Sequence, residues 1–306
     1  FRGDTVHPST LQIISDLGLL DEFLQQPHQK ISKVSMSVFG EMITMGDLSS
    51  LKVKTPYIAM MPQWDFLNFL VSKAKQLPRF KILMEAELID LVNNDDKVTG
   101  ALVKTPTGII TINSKLLVGA DGRHSTVRKQ ANLNVKNLGV AIDALWFRIS
   151  RKPDDPKETF ANISPGKLMV MINREEYWQC AYIIPKGYLN QLQQMGLKKF
   201  QDVIVQVRPL FADRVDELTC WDDIKLLEVQ VNRLEHWYKK GLLCIGDAAH
   251  AMSPVGGVGI NLAIQDAVAT SNILIPDLRR GLVLDESLAL VQKRRMFPTV
   301  DRKSTR

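Results

Sequence analysis

The chain has 306 residues, 45% of them hydrophobic and 24% charged, with 39 basic against 33 acidic side chains and a net charge of +6. That is enough for one large core or two linked domains, and the lack of any run of about 18 apolar residues argues against a membrane-spanning helix. The basic residues are interleaved with acids rather than clustered with aromatics, which argues against nucleic acid, and Cys180, Cys220 and Cys244 form no C-x-x-C pair, so neither zinc nor a disulfide framework is expected and a reducing cytoplasm fits.

Along the chain, Pro8-Ser9-Thr10 followed by Leu11, Ile13, Ile14, Leu17 and Leu20 predicts a capped amphipathic helix ending near Pro27. Residues 31–45 alternate around Phe39-Gly40-Glu41 as a strand pair would. A helix over 63–76 leads to an expected strand at Phe80–Leu83. A three-strand meander is expected at 88–92, 98–104 and 109–112, with Asn93–Asp96 and Pro106-Thr107-Gly108 as its turns. From about 140 to 227 the α/β rhythm is lost. Trp146–Ile149, Leu168–Ile172 and Tyr177–Ile184 read as sheet, with helices near 188–195 and 198–207. Trp146, Trp178 and Tyr182 are candidates to touch an aromatic ligand, although large aromatics on a sheet more often belong to the core. Lys293-Arg294-Arg295 and the basic residues 302–306 read as a solvated face, or as an attraction for nucleotide phosphates or anionic lipid.

Two segments carry chemistry. Leu116–Arg128 is a short apolar strand running into Asp121-Gly122, then a helix with Ser125 near its start and Arg128 in its first turns. Leu242–Asp266 repeats the theme, an apolar strand ending in Gly246-Asp247. There the carboxylate stands at a strand end, where open α/β sheets bind ligands, and can accept hydrogen bonds from a polyol. Glycines 256, 257 and 259 then allow a flat ligand to approach the backbone before a helix over 260–275, whose N-terminus favours negative charge. Taken alone, the glycine cluster also fits a plain turn before a core helix. His250, one turn beyond Asp247, is read as structural rather than as a base, as are His7 and His124, and Cys244 as a small buried apolar residue.

At these two motifs the chain resembles the class A flavoprotein monooxygenases of the p-hydroxybenzoate hydroxylase type, and the resemblance runs over nearly its whole length. It implies an α/β fold, a Rossmann-like FAD-binding domain (1–30, 60–140 and 226–306) with an inserted, mostly antiparallel β-sheet substrate domain (31–59 and 141–225). The residues that match cofactor-binding positions are Arg2 and Gln63, then Asp121, Gly122 and Arg128 where flavin and nicotinamide phosphates approach. Gly246 and Asp247 match the ribityl site, and Gly256, Gly257, Gly259, Ile260 and Asn261 the edge of the flavin ring. Pro254 would shape the oxygen-activation face. The family opens with a strand and a G-x-G-x-x-G turn that nothing before Phe1 supplies. The resemblance therefore implies a chain that begins inside the cofactor domain, without its first β-α-β unit, and that holds FAD poorly by itself.

The implied activity is hydroxylation of a small aromatic or polyketide-like substrate with NAD(P)H, NADPH or NADH, and O₂ through a flavin 4a-hydroperoxide. No metal is expected. A flavin reductase or halogenase of the same fold is the second reading. Tyr177–Pro185 loosely matches the tryptophan strand of such enzymes without its paired tryptophans. A non-catalytic FAD-binding fragment is the third.

Overall fold

Residues 145–150 alternate between buried and less buried side chains, as an extended backbone requires when it puts every second residue on one face. The computed structural model describes residues 5–38, 41–156, 158–254 and 257–300. They fall into two compact units, residues 30–58 with 140–229, and residues 5–29, 59–139 and 230–300.

The first unit is built on a seven-stranded sheet in the order Lys225–Leu227, Ile142–Ser150, Tyr177–Pro185, Lys167–Asn173, Phe160–Ser164, Lys33–Val38, Glu41–Asp47. Its neighbours are antiparallel except Phe160–Ser164 with Lys33–Val38, which run parallel. One face carries Leu145, Phe147, Ile149, Met169, Met171, Trp178, Cys180 and Tyr182 into a core closed by Phe200, Ile204 and Val207 of the helix Leu197–Val207. Burial of each large apolar side chain stabilises by about 1.5–3 kcal/mol, so this face holds the unit together. Asp155 is buried beside it and accepts from Arg214 Nη2 (2.7 Å), Trp178 Nε1 (2.8 Å) and the Lys152 N–H (3.1 Å).

The second unit packs small sheets against helices. The meander Glu87–Asn94, Lys97–Thr105 and Gly108–Asn113 forms as expected. Beside it, Leu117–Gly119 lies parallel to Leu242–Cys244, which also pairs with Tyr238–Lys239. Leu242, Leu243 and Cys244 are fully buried with Val127, Trp237, Leu288 and Val291. Burial of Cys244 pushes its thiol up to about 12, and burial pushes Cys180 higher still. Two helices complete the unit, Gly259–Arg279 and Asp285–Val300. Among the described residues no helix is long and apolar enough to cross a membrane.

Three expectations need correction. Residues 80–83 form no strand, and Phe80, Ile82 and Leu83 stand 40%, 39% and 57% exposed. An extended segment becomes a strand only when a neighbour supplies ladder partners, and no described strand pairs with this one. The first helix starts at Pro8 rather than behind a Ser or Thr cap. His7 occupies the cap position without a side-chain hydrogen bond, and Pro8 opens the helix because its missing N–H has no partner to lose there. That helix ends at Asp16, not near Pro27, with Gly18 at φ +72° ahead of a separate short helix, Leu20–Phe23. The turn at Phe39-Gly40 lies outside the described residues.

Candidate functional site

The parallel register Leu117↔Leu242, Val118↔Leu243, Gly119↔Cys244 brings both aspartate turns out at the same end of adjacent strands. This is the carboxyl end, where open α/β sheets bind ligands.

At the first turn the carboxylate faces its own helix. Asp121 Oδ1 accepts from Ser125 Oγ (2.5 Å) and Oδ2 from the Val127 N–H (3.0 Å), while Ser125 Oγ accepts from the Arg128 N–H (3.0 Å). These bonds satisfy N–H groups that the start of the helix Thr126–Gln130 leaves free. Gly122 adopts φ +85° between them. Arg128 reaches the Asn232 side chain (3.2 Å) and the carbonyls of Ala248 (3.4 Å) and Arg123. Its guanidinium thereby ties the first turn to the second.

At the second turn the carboxylate stays open. Asp247 is 30% exposed, and Arg123 Nη2 at 3.4 Å is its charged neighbour. Gly246 holds a left-handed φ of +59°, and a Cβ there would come 3.1 Å from the Ala263 Cβ. Gly257, at φ +60°, has no room for a side chain: a Cβ would lie 2.4 Å from Thr5 Oγ1. Thr5 Oγ1 donates to the Gly257 carbonyl (2.5 Å), and the Gly257 N–H to the carbonyl of half-buried Pro254 (3.0 Å).

The helix Gly259–Arg279 opens at Gly259 and Ile260 without a side-chain cap from Val258. Its first N–H groups have no partner within the helix, and the macrodipole adds positive character there. Asn261 is buried and its amide fully engaged. Oδ1 accepts from the His7 N–H (2.9 Å) and Thr10 Oγ1 (2.7 Å), and Nδ2 donates to the carbonyls of Thr5 (2.9 Å) and Gly257 (3.3 Å). Its side chain staples the glycine turn to the start of the first helix, so a ligand can be met there by its backbone N–H but not by its amide.

His250 is buried, with Nε2 2.6 Å from Asp266 Oδ2 and its ring against Trp237 at 4.9 Å, as a structural histidine would be. Gln63 is half-buried and opens the helix Gln63–Ala74. Arg2 and Gly256 lie outside the described residues. Of the aromatic candidates, Trp178 and Tyr182 are spent in the core. Trp146 alternates onto the other face of the sheet, half-buried, with an indole N–H that has no hydrogen-bond partner among the described residues.

Sequence reasoning missed Arg123 as the partner of Asp247 and Asp266 as a buried charge, and the reading of Lys293-Arg294-Arg295 as a solvated face needs correction at Arg295, which is buried because its guanidinium pairs with the Asp266 carboxylate. A signal for Asp266 existed: it shares the inward face of its helix with Leu262, Thr270 and Leu274, where a charge requires a partner.

The donor set fits FAD. A half-open carboxylate can accept from ribityl hydroxyls, an uncapped helix start favours a ring that gains negative charge on reduction, and two glycine positions keep the backbone bare between them.

The chain is 29% identical over 298 residues to 6-methylpretetramide 4-monooxygenase of Streptomyces rimosus, covering 96% of this chain and 71% of that protein. It spans only about half the length of several other relatives. Among solved structures, PqsL of Pseudomonas aeruginosa, a probable FAD-dependent monooxygenase, superposes with a TM-score of 0.80 at 20% identity, over 97% of this chain and 82% of that one. The myxobacterial halogenase CndH superposes equally well, with a TM-score of 0.80 at 16% identity, over 96% of this chain and 70% of that one. These superpositions show a shared α/β fold. Residues 1–284 match the model of the FAD binding domain family, and the chain belongs to that family.

Proposed function

We propose that the chain is the FAD-binding and substrate-binding part of a monooxygenase that uses NAD(P)H and O₂ to hydroxylate a small aromatic or polyketide-like molecule. The observation that carries this reading is the half-exposed Asp247 carboxylate at the end of two parallel strands, beside an uncapped helix start. The names of relatives that act on such compounds support the substrate class. Bound FAD would supply the redox and oxygen chemistry, and the protein the position and the dryness.

In this reading Asp247 holds the ribityl hydroxyls, with Arg123 limiting its swing. The N–H groups of Gly259, Ile260 and Asn261 meet the negative edge of the ring, held in place by the Asn261 amide. Pro254 lines the ring face, Gln63 reaches the cofactor from its helix start, and Arg2 and Gly256 complete the contacts. Asp121, Gly122 and Arg128 shape the approach of phosphates through the backbone they order. The unit of residues 5–29, 59–139 and 230–300 is the cofactor unit, the other the substrate unit, and Trp146 offers its free N–H to a substrate oxygen.

The test is FAD titration of the full-length protein followed by NADH or NADPH oxidation with a panel of phenols and aromatic polyketides, read by product mass. A product one oxygen atom heavier supports hydroxylation. Halogen incorporation in the presence of halide transfers the assignment to the halogenases, and absence of flavin binding removes both.

A further inference from the structure

Asp266 is completely buried on the inward face of the helix Gly259–Arg279. Three donors converge on its carboxylate: the Gly246 N–H at 2.9 Å, His250 Nε2 at 2.6 Å and Arg295 Nε at 2.6 Å. Arg295 comes from the next helix, Asp285–Val300, and is held in turn by Gln265 Oε1 at 3.2 Å and the Leu262 carbonyl at 3.5 Å. Burial drives the Asp266 pKa upward, but the hydrogen bonds from His250, Arg295 and Gly246 and the charge of His250 outweigh it and hold the carboxyl below its ordinary range.

Gly246 is gripped from both sides. Its N–H donates to Asp266, and its carbonyl accepts from the N–H groups of Ala249 (3.0 Å) and His250 (2.9 Å). The next residue is Asp247. A buried ion pair adds little net stability over a well-packed apolar pair. What distinguishes this one is that a third donor is the backbone immediately before the ligand carboxylate.

We propose that Asp266, oriented by His250 and Arg295, is the positioning residue of Asp247, fixing the turn so that the Asp247 carboxylate is preset for its ligand. The proposal rests on the reading of Asp247 as the ribityl-binding carboxylate. Asp266 touches no ligand itself. It acts through the Gly246 peptide.

The test compares Asp266→Asn with Asp155→Asn in the full-length protein. Asp155 is an equally buried, arginine-paired carboxylate of the other unit. A carboxamide offers one acceptor oxygen and an NH₂ group where three donors converge. Asp266→Asn should therefore speed hydrogen exchange of the Gly246 amide, measured without FAD, and raise the FAD dissociation constant, each by about tenfold. Asp155→Asn should lower the melting temperature as far as Asp266→Asn does while moving neither exchange at Gly246 nor FAD affinity.

Unchanged exchange and affinity in Asp266→Asn overturn the proposal. So does a loss of affinity in Asp155→Asn that matches its loss of stability. Asp247→Ala separates the two levels: if it leaves FAD affinity unchanged, the flavin reading falls, and the exchange data still decide whether Asp266 clamps the turn. Where Asp266→Asn does not fold, Arg295→Lys keeps the charge but moves the donor. It is expected to speed exchange at Gly246 by about threefold, and unchanged exchange there overturns the clamp.

Discussion

Two turns in this protein share a sequence pattern and a place at the end of adjacent parallel strands, yet they use their aspartates in opposite ways. Asp121 closes on itself, both oxygens bound to Ser125 and Val127 of the helix it starts. Asp247 points out, with Arg123 beside it at 3.4 Å and 30% of its side chain in solvent. The difference comes from the chain just beyond each aspartate. After Asp121 a helix begins within five residues and claims the carboxylate for its free N–H groups. After Asp247 the next long helix begins only at Gly259, so its start is too far along the chain to take that carboxylate as a cap. An apolar strand ending in Asp is therefore no binding signal until the distance to the next helix is known.

Replacing each aspartate by alanine should split binding from stability. Asp247→Ala is expected to cost on the order of 1.5–3 kcal/mol of FAD binding, with a smaller change in stability because its ion pair is half-exposed. Fluorescence titration of FAD measures the first and urea unfolding the second. An unchanged dissociation constant with lost stability would make the two turns alike and end the comparison.

Asp121→Ala should behave the other way. Loss of the contacts that cap Thr126–Gln130 is expected to cost about 1–2 kcal/mol of stability, read by the same unfolding curves. FAD affinity should stay within about threefold, a change of less than 1 kcal/mol. A larger fall in affinity would mean that the turn ordered by Asp121 meets the cofactor, and the two aspartates would no longer divide binding from stability.

The smallest effect is a chemical one. Cys244 faces Gly119 across the two strands, and its thiol, pushed up to about 12, should resist alkylation near pH 8, while exposed Cys220 reacts. One fast-labelled cysteine is thus expected in the native protein. In Asp121→Ala, slow labelling of Cys244 would show the strand pair loosening, and wild-type labelling rates would confine the damage to the helix start.

Much of this was legible before folding. Apolar runs rich in β-branched and aromatic residues marked the strands at 146–149, 168–172 and 177–184, and runs bounded by turn residues marked the meander at 88–92, 98–104 and 109–112. Short apolar runs ending in Asp marked both turns. Other features were not legible locally. The strand Phe160–Ser164 has weak alternation and is a strand because two neighbours pair with it. Residues 80–83 look like a strand and lack such neighbours. Asn261 reads as a ligand contact by its place after the glycines, but its amide is taken by Thr5, His7 and Thr10 from far away in the chain and by Gly257 nearby.

The sequence by itself determined which residues could carry chemistry: two carboxylates at strand ends, glycines where a backbone must turn left-handed, and a helix start after them. Each is a short-range property of residue type and spacing. The tertiary structure decided which carboxylate is spent and which is open, that Arg123 faces Asp247, and that Asp266 and Arg295, 29 residues apart, meet at 2.6 Å behind the turn. Hydrogen-bond partners are chosen by proximity in space. The Asp266 pair is enforced by burial, which makes an unpartnered charge too costly to keep.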